Sequence, residues 1–212
     1  MKNRGKHKKE RKEVARFMRR LYRQGLTTTS GGNISLKISD EVIIITPSAT
    51  DKGKMRWKEV GIINIFGDNL TPGLKPSIES DMHLAIYKKK KDITAIVHAH
   101  PLFATSFTAM KYKIKTNLTA EAKAILGNPL FLPYALMGSV ELASLAAENI
   151  LRSDILLLEN HGILTTGSNL LQAFDKIEVL ENAAKMTLIV DITKKKSPLN
   201  KTRVREIEKT FR

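Results

Sequence analysis

The sequence predicts an α/β protein in which helices cover both faces of a mixed or largely antiparallel β-sheet. Three observations lead to this fold class. The 212 residues suit one domain with a sizeable core. Hairpin patterns stand between helical patterns instead of alternating strictly with them, and no internal repeat is present. We therefore expect residues 1–212 to form one domain, with a basic helix at residues 6–24 and a charged tail at residues 194–212.

The N-terminal half predicts a helix, three strands and a second helix. Apolar residues recur at helical spacing from Val14 to Leu21, and Gly25 follows where a C-cap glycine belongs. Two β-rich segments flank Ser39-Asp40, which indicates a hairpin. Ser77 suits the N-cap position of the second helix. The predicted bounds are residues 6–24 and 78–89 for the helices, and residues 34–38, 41–46 and 60–66 for the strands.

The C-terminal half predicts short apolar strands that lead into helices. Two of its strands flank His161, and the strand before them ends at His98. Long helical patterns follow, and the charged tail contains one short helical pattern. The predicted strands are residues 93–98, 130–132, 155–158 and 162–166, and the predicted helices are residues 101–109, 139–151, 168–190 and 204–210.

The chain is strongly basic, with a net charge of +15. Residues 1–24 carry eleven lysines or arginines against two glutamates, and smaller basic clusters occupy residues 88–91 and 194–196. Such patches attract anions of any kind. No aromatic interleaving, helix-turn-helix signature or RNP-like strand accompanies them. We therefore interpret them as solvated surface and do not expect nucleic acid to be the main partner.

The composition excludes several classes of protein. There are no cysteines, which excludes a disulfide framework and a thiolate metal site. The longest apolar runs are far too short to span a membrane, and no apolar stretch of signal-peptide type follows the basic N-terminus. We expect a cytoplasmic protein without a membrane partner.

Histidines and one carboxylate form a candidate metal site. Two of the five histidines stand one residue apart in His98-Ala99-His100, at the end of a predicted strand. Positions i and i+2 of a strand point to the same face, so both imidazoles can reach one ion. With His161 and Glu79 they make a complete ligand set for a divalent transition metal, zinc first. His83 lies one helical turn after Glu79, and we expect it to support or pack rather than to ligate.

Six short motifs follow one another through the sequence: Gly31-Gly32-Asn33-Ile34-Ser35, Thr46-Pro47-Ser48, Pro76-Ser77-Ile78-Glu79, His98-Ala99-His100-Pro101, Pro133-Tyr134-Ala135 and Glu159-Asn160-His161-Gly162. Their order and combination resemble the class II aldolase/adducin family, and are closest to the L-fuculose-1-phosphate aldolases within it. The similarity spans nearly the whole chain. It is highly specific for the family and less specific for the substrate.

The resemblance implies a three-layer α/β/α fold with a central, mainly antiparallel sheet, and cyclic homotetramers with active sites at subunit interfaces. It implies that His98, His100 and His161 bind zinc or another divalent transition metal. Glu79 matches the carboxylate that ligates the resting metal and then acts as catalytic acid/base. Because neutral imidazoles leave the charge of the ion uncancelled, the ion can bind a hydroxyketone and stabilise an enediolate. The implied reaction is reversible cleavage of a ketose 1-phosphate into dihydroxyacetone phosphate and an aldehyde.

In the family three small loops hold the phosphate of the sugar, and the matching residues are Gly32, Asn33, Ser48, Ala49, Ser77 and Ile78. Backbone amides and hydroxyls suit phosphate oxygens, and Ser77 near a helix N-terminus adds the helix dipole. Ala49 stands where a glycine is common, and Ile78 where a second serine is common. Ile78 removes a hydroxyl donor, for which Thr50 or Lys52 could compensate.

Three alternative functions stay open. A pentulose-5-phosphate 4-epimerase of the same superfamily typically carries Asp where this chain has Glu79. A methylthioribulose-phosphate dehydratase has the same overall plan, but the motif forms of this chain are more similar to aldolases. A non-catalytic binding module, similar to the head domain of adducin, would not need the four metal-site residues. The tyrosine that aldolases of this type receive from a neighbouring subunit has no clear counterpart around Leu118-Thr119.

Overall fold

The computed structural model describes residues 6–211, so residues 1–5 of the predicted basic segment and residue 212 of the tail lie outside the described residues. The helices are α1 (Lys8–Arg23), α2 (Ser80–Lys89), α3 (Leu102–Met110), α4 (Ala120–Leu126), α5 (Val140–Asn149), α6 (Leu170–Thr193) and α7 (Lys201–Phe211). The strands are β1 (Asn33–Lys37), β2 (Val42–Ile45), β3 (Gly61–Asn64), β4 (Ala95–Ala99), β5 (Leu130–Leu132), β6 (Ile155–Leu158) and β7 (Gly162–Gly167). Within residues 6–211, none of the helices combines the length and apolarity needed to cross a bilayer.

The strands form one sheet in the order β3-β2-β1-β4-β7-β6-β5. Every neighbouring pair is antiparallel except β5 and β6, which run parallel. The prediction of a mixed, mainly antiparallel sheet is confirmed. β4 is the central strand, and all five of its residues are buried. The strand that carries His98 therefore lies in the middle of the molecule.

Two apolar clusters cover the two faces of the sheet. Val97 and Ile163 belong to the cluster that α1, α3, α4 and α6 cover, whereas Ile96 and Leu164 belong to the cluster that α2 and α5 cover. The alternation follows from the two-residue period of a strand. Because helices lie on both faces, the α/β/α layering is confirmed. His98 has the parity of Ile96, so its side chain lies on the face of α2 and α5.

Most elements lie within a few residues of their predicted bounds. The beginning of α2 is shifted by two residues, and the reason for this shift bears on the candidate site. The sequence predicts a helix from Ile78 with Ser77 as its N-cap. In the structure α2 begins at Ser80, and Glu79 occupies the N-cap position without a capping hydrogen bond from its side chain. Ser77 Oγ instead accepts from the backbone N of Glu79 at 3.3 Å. The turn before the helix leaves the carboxylate of Glu79 free to face the sheet.

Two helices differ from the prediction. α4 was not predicted, although Thr119 caps it by accepting from the backbone N of Ala122 at 3.1 Å. Seven residues are too few for a clear helical period, so the cap was the only available sign. α7 is an 11-residue helix and longer than the predicted one. An ion pair of 2.7 Å between Lys123 and Glu208 joins α7 to α4.

The beginning of α3 depends on a carboxylate from α6. Glu181 is buried, and its two oxygens accept from the backbone N of Phe103 at 3.2 Å and of Ala104 at 2.9 Å. The first amides of a helix have no partner within the helix, so Glu181 satisfies two of them. Because α3 begins directly after His100 and Pro101, this contact also fixes the chain beyond the histidine pair.

Replacing Glu181 with Ala should lower the free energy of unfolding by about 2 kcal/mol, because two largely buried amides lose a charged acceptor. Glu178→Ala is the matched control on the same helix. It removes a partly exposed ion pair with Arg20 and should cost less than about 1 kcal/mol. Urea denaturation of both variants checks the prediction, and equal losses would contradict it.

Candidate metal centre

The register of β4 places the first histidine. His98 lies opposite Asn33 of β1 and opposite Leu164 of β7. Opposite residues of an antiparallel pair share a face, so Asn33 and His98 project to the same side of the sheet. His98 is fully buried, and its Nδ1 lies 3.0 Å from the carbonyl oxygen of Ile163. His100 follows the end of the strand and is partly exposed.

His161 lies in the tight connection between β6 and β7. Leu158 and Gly162 pair across it, and the backbone N of His161 donates to the carbonyl of Leu158 at 3.1 Å. Asn160 takes a left-handed conformation with φ 52°. Asn is among the residues that tolerate this region best, so the connection can be short. The hairpin thereby turns His161 towards His98.

The four predicted ligands meet. Glu79 Oε2 lies 3.3 Å from His98 Nε2, and Glu79 Oε1 lies 3.2 Å from His161 Nε2. His98 Nε2 and His100 Nε2 are 3.0 Å apart. One ring nitrogen from each of the three histidines lies within 4.8 Å of the others. The structure therefore brings together all the side chains that the sequence proposes as ligands.

Burial favours the uncharged form of His98 and His100. Burial, followed by the proximity of His100 and His161, holds the pKa of His98 well below its ordinary value. The pKa of His100 is lowered too, chiefly by burial and then by His161, while Glu79 opposes the shift. Neutral imidazoles have a free lone pair, which is the form that binds a metal.

The residues present fit a divalent cation. The carbonyl of Ile163 can only accept, so His98 Nδ1 carries the proton and His98 Nε2 presents its lone pair to the cluster. Glu79 Oε1 is buried without a hydrogen-bond partner among the described residues. The lone pair of His98 Nε2 and the carboxylate oxygen of Glu79 therefore converge on one point. Nitrogen and oxygen donors arranged in this way suit the binding of a cation.

Gly162 allows the histidines to pack closely. A β-carbon at this position would lie 2.5 Å from Cδ2 of His100, 2.7 Å from the carbonyl oxygen of Ala99 and 3.2 Å from Cε1 of His98. Two of these distances to a neighbouring atom are so short that real β-carbons essentially never show them. The glycine of the Asn-His-Gly motif thus makes room for the imidazoles of both neighbouring ligands.

The proposed phosphate loops lie beside Glu79. Ser48 Oγ donates to the carbonyl of Pro76 at 2.9 Å and accepts from the backbone N of Ile78 at 3.0 Å. The hydroxyl of Ser48 therefore ties two of the three loops together. The side chain of Ile78 is half exposed, and Ser77 is buried behind it. The third loop joins through Asn33, whose Nδ2 donates to Glu79 Oε2 at 2.7 Å.

The two departures from the family pattern have structural consequences. Ala49 takes the left-handed conformation with φ 49°, where a glycine would be unstrained. Lys52 is fully buried beneath this turn, and its Nζ donates to the carbonyl of Pro47 and to Thr50 Oγ1. Burial lowers the pKa of Lys52 to about 8. No carboxylate of residues 6–211 forms an ion pair with Lys52, so its charge stays uncompensated within the chain.

Sequence reasoning did not give the surroundings of two side chains in this region. Lys52 is one, because a lysine is ordinarily exposed and nothing local marks the burial of this one. The other is His83, whose two ring nitrogens both have polar partners on β1. The prediction that His83 is not a metal ligand agrees with these contacts, since neither nitrogen is left for an ion.

Replacing Gly162 with Ala should weaken metal binding by at least about tenfold, because the new β-carbon displaces the His98 and His100 rings. Gly61→Ala is the matched control, since a β-carbon there would meet its nearest neighbours at an ordinary 3.5 Å. Zinc titration with a competing chelator measures both affinities. Equal affinities in the two variants would show that the imidazoles do not need this space.

Comparisons with known proteins agree with this geometry. The family described as Class II Aldolase and Adducin N-terminal domain matches residues 12–188. An L-fuculose phosphate aldolase of Methanocaldococcus jannaschii is 35% identical over 186 residues, 88% of this chain and 99% of that protein. A 3-oxo-tetronate 4-phosphate decarboxylase of Haemophilus influenzae is 33% identical over 172 residues, 79% of this chain and 81% of that protein.

A solved structure has the same fold. It is an L-fuculose 1-phosphate aldolase with a TM-score of 0.86 and 29% identity, and the match covers 95% of each chain. The family match extends from α1 to α6 and includes all four candidate ligands. On the fold, the arrangement of the site and these similarities, the chain belongs to the class II aldolase and adducin family.

Proposed function

We propose that the protein is a zinc-dependent class II aldolase that reversibly cleaves a ketose 1-phosphate, similar to fuculose 1-phosphate, into dihydroxyacetone phosphate and an aldehyde. The observation that carries the proposal is the convergence of three imidazoles and of Glu79 Oε1, which has no hydrogen-bond partner among the described residues, on one point. His98, His100, His161 and Glu79 would hold the ion, and their nitrogen and oxygen donors suit zinc. When bound, a divalent cation supplies Lewis-acid stabilisation of the negative charge on an enediolate.

Glu79 is the proposed acid/base. Its Oε2 is held by the Nδ2 of Asn33, whereas its Oε1 has no hydrogen-bond partner among the described residues. On cleavage the C3–C4 bond breaks, and the C4 hydroxyl loses its proton as the aldehyde forms. The electron pair of the broken bond stays on the enediolate, which then takes up a proton at C3. A carboxylate anchored through one oxygen and free at the other suits this proton transfer.

We infer that a phosphate group binds at the loops of Gly32, Asn33, Ser48, Ala49, Ser77 and Ile78. Ser48 links two of these loops, and its hydroxyl is already engaged by Pro76 and Ile78. Backbone amides therefore carry more of the proposed contact than this hydroxyl does. Lys52 adds a buried positive charge beneath the same turn, which favours a doubly charged phosphate over a neutral sugar.

We further propose a homotetramer with the active sites at subunit interfaces. Next to Glu79, the side chain of Ile78 is exposed, and the backbone of Gly138 packs against Ile78. The loop around Gly138 presents more apolar surface, so the active site has an apolar rim. Partner subunits of the same chain would cover this rim. Its exposed large apolar side chains are Ile78, Tyr134, Leu136, Met137 and Val140.

A cytoplasmic location stays a prediction from composition.

A decarboxylase is the second candidate, because a relative with 33% identity is named for decarboxylation of a 3-oxo-tetronate 4-phosphate. Loss of carbon dioxide beside a ketone also leaves an electron pair that a metal and a carboxylic acid can stabilise. The same four ligands would therefore serve both reactions. Incubating the metal-loaded protein with ketose 1-phosphates and with 3-oxo-acid 4-phosphates distinguishes them, through release of dihydroxyacetone phosphate or of carbon dioxide.

Replacing His98 or His161 with Ala should remove bound metal and activity together, because each variant loses a nitrogen ligand. Glu79→Gln should keep part of the metal but lower turnover at least about a hundredfold, because an amide cannot exchange the proton at C3. Elemental analysis and a dihydroxyacetone phosphate assay give the two measurements. His7→Ala, at the start of α1, is the control and should change neither.

Equal loss of metal from all three variants would mean that Glu79 is mainly a ligand, and the acid/base role would then be wrong. A wild-type protein that binds zinc but turns over neither substrate class would favour a non-catalytic, adducin-like binding module. Epimerisation of a pentulose 5-phosphate or dehydration of a methylthioribulose phosphate would assign one of the other members of the superfamily.

Replacing Lys52 with Met should raise KM for the phosphorylated substrate by about tenfold and change kcat less, because the phosphate loses a nearby positive charge. The exposed Lys54 gives the control variant Lys54→Met, which should leave KM unchanged. Initial rates, with thermal melting to verify folding, check both. An unchanged KM in folded Lys52→Met would assign Lys52 a purely structural role.

A further inference from the structure

A chain of buried polar side chains runs from Glu79 along the β1 side of α2. Asn33 Nδ2 lies 2.7 Å from Glu79 Oε2, and Asn33 Oδ1 lies 2.6 Å from His83 Nε2. His83 Nδ1 is 2.6 Å from Ser35 Oγ, which is 2.9 Å from the hydroxyl oxygen of Tyr87. Asn33, Ser35, His83 and Tyr87 are all buried. Every contact has hydrogen-bond length, so each proton position constrains the next.

The carboxylate sets the direction of donation. A metal-ligating carboxylate is ionised and only accepts, so the amide of Asn33 must point its Nδ2 at Glu79 and its Oδ1 at His83. His83 Nε2 therefore carries a proton and donates to Oδ1. His83 is fully buried and no carboxylate contacts its ring nitrogens, which favours the neutral ring and leaves Nδ1 with a lone pair. Ser35 must then donate to Nδ1.

The hydrogen-bond directions at the Tyr87 end of the chain agree with those set at the Glu79 end. Because the hydroxyl hydrogen of Ser35 points to His83, Ser35 Oγ accepts from the hydroxyl of Tyr87. The carbonyl of Thr94 lies 3.1 Å from the same hydroxyl and can also accept its single proton, but it accepts from the backbone N of Lys37 at 2.7 Å and so keeps a partner when Tyr87 donates to Ser35 instead. Tyr87 is thus free to donate to Ser35. Each donor in the chain points towards Glu79, and each buried polar atom has a partner.

We propose that His83, oriented by Ser35 and Tyr87, is a positioning residue that fixes the amide of Asn33 and through it the carboxylate of Glu79. The proposal rests on the function proposed above. Without a donor at His83 Nε2, Asn33 Oδ1 would be a buried acceptor without a partner, and the amide would turn to find one. Glu79 Oε2 would then lose the contact that leaves Oε1 as the oxygen for proton transfer.

The geometry explains why a histidine occupies this place. One neutral imidazole donates through one nitrogen and accepts through the other on opposite sides of the ring, which links Asn33 and Ser35 across a single side chain. A glutamine also has one donating and one accepting end. A leucine has similar bulk but neither end. The pair His83→Gln and His83→Leu therefore separates hydrogen bonding from packing.

The test measures zinc content, kcat, KM and melting temperature in both variants. We expect His83→Leu to bind zinc as the wild type does, to lose at least about tenfold in kcat, and to change KM by less than about threefold. His83→Gln should recover most of the lost kcat. Equal kcat in the leucine variant and the wild type would leave His83 a packing residue. Equal loss in both variants would also overturn the proposal, and so would loss of zinc from folded His83→Leu, because His83 would then support metal binding and not only the position of the carboxylate.

A second measurement needs neither turnover nor a folded leucine variant. Long-range proton–nitrogen spectra of the zinc-loaded wild type, with the His83 signals assigned by their absence in His83→Gln, report which ring nitrogen is protonated. We expect a proton on Nε2 and none on Nδ1 at neutral pH. A proton on Nδ1, or on both nitrogens, would overturn the chain. If the wild type turns over no ketose 1-phosphate, the proposed function fails while this spectrum still decides the position of the proton.

Discussion

The pairing register of the central strand is the constraint on which the site depends. β4 fixes His98 opposite Asn33 and Leu164, and both faces of the strand are buried. A slip of one residue would turn the imidazole of His98 into the cluster that α1, α3, α4 and α6 cover, where its polar atoms would lie among apolar side chains. The apolar clusters therefore select the register, and the register places the ligand. The candidate metal centre is in this sense a product of core packing.

A polar stripe on one face of this apolar sheet carries the chemistry. The side chain of His98 lies on the face of the sheet to which Asn33 and Ser35 also project. α2 lies over this face and brings Glu79 and His83 to it. Neutral imidazoles, an amide and hydroxyls can be buried there because each finds a partner. Three groups at the site stand apart from this rule: among the described residues Glu79 Oε1 and His161 Nδ1 have no hydrogen-bond partner, and the ammonium of Lys52 has no carboxylate partner. An unpaired acceptor and an uncompensated cation suit a site for a metal ion and an anionic substrate.

The spacing of residues along the sequence was sufficient to predict those elements whose conformation depends on neighbouring residues. The two-residue period of a strand predicted that His98 and His100 can share an ion, and helical spacing predicted α1 and α6 closely. Glu79 lies beside His98 and His161, but the helix that follows it was predicted to begin two residues too early. The hydroxyl of Ser77 accepts a hydrogen bond within the turn before the helix and does not cap the helix. A serine at this position suits either role, so the sequence alone does not distinguish a turn from an N-cap.

Features that depend on distant contacts could not be predicted. α4 is short, and its packing against α6 and α7 adds what its length does not supply. The partners of His83 lie on β1, far away in sequence, so only the folded sheet shows that both ring nitrogens are engaged. Lys52 is of a residue type that is ordinarily exposed, and only the folded chain shows its ammonium buried against the carbonyl of Pro47 and its backbone N bonded to the carbonyl of Thr29. Sequence pattern identifies the candidate ligands, whereas tertiary structure shows which side chains contact and orient them.

The candidate ligands come from three widely separated stretches of chain, and this separation decides when an ion can enter. No short segment carries enough of them to capture a metal in the unfolded state, as the ligand loop of a zinc finger does. β1, β4 and β7 must pair first, and their pairing needs only the apolar clusters. Folding therefore precedes metallation. Under the proposed function, a cell short of the metal would accumulate folded protein with an empty site, as a reserve that needs no refolding when the metal returns.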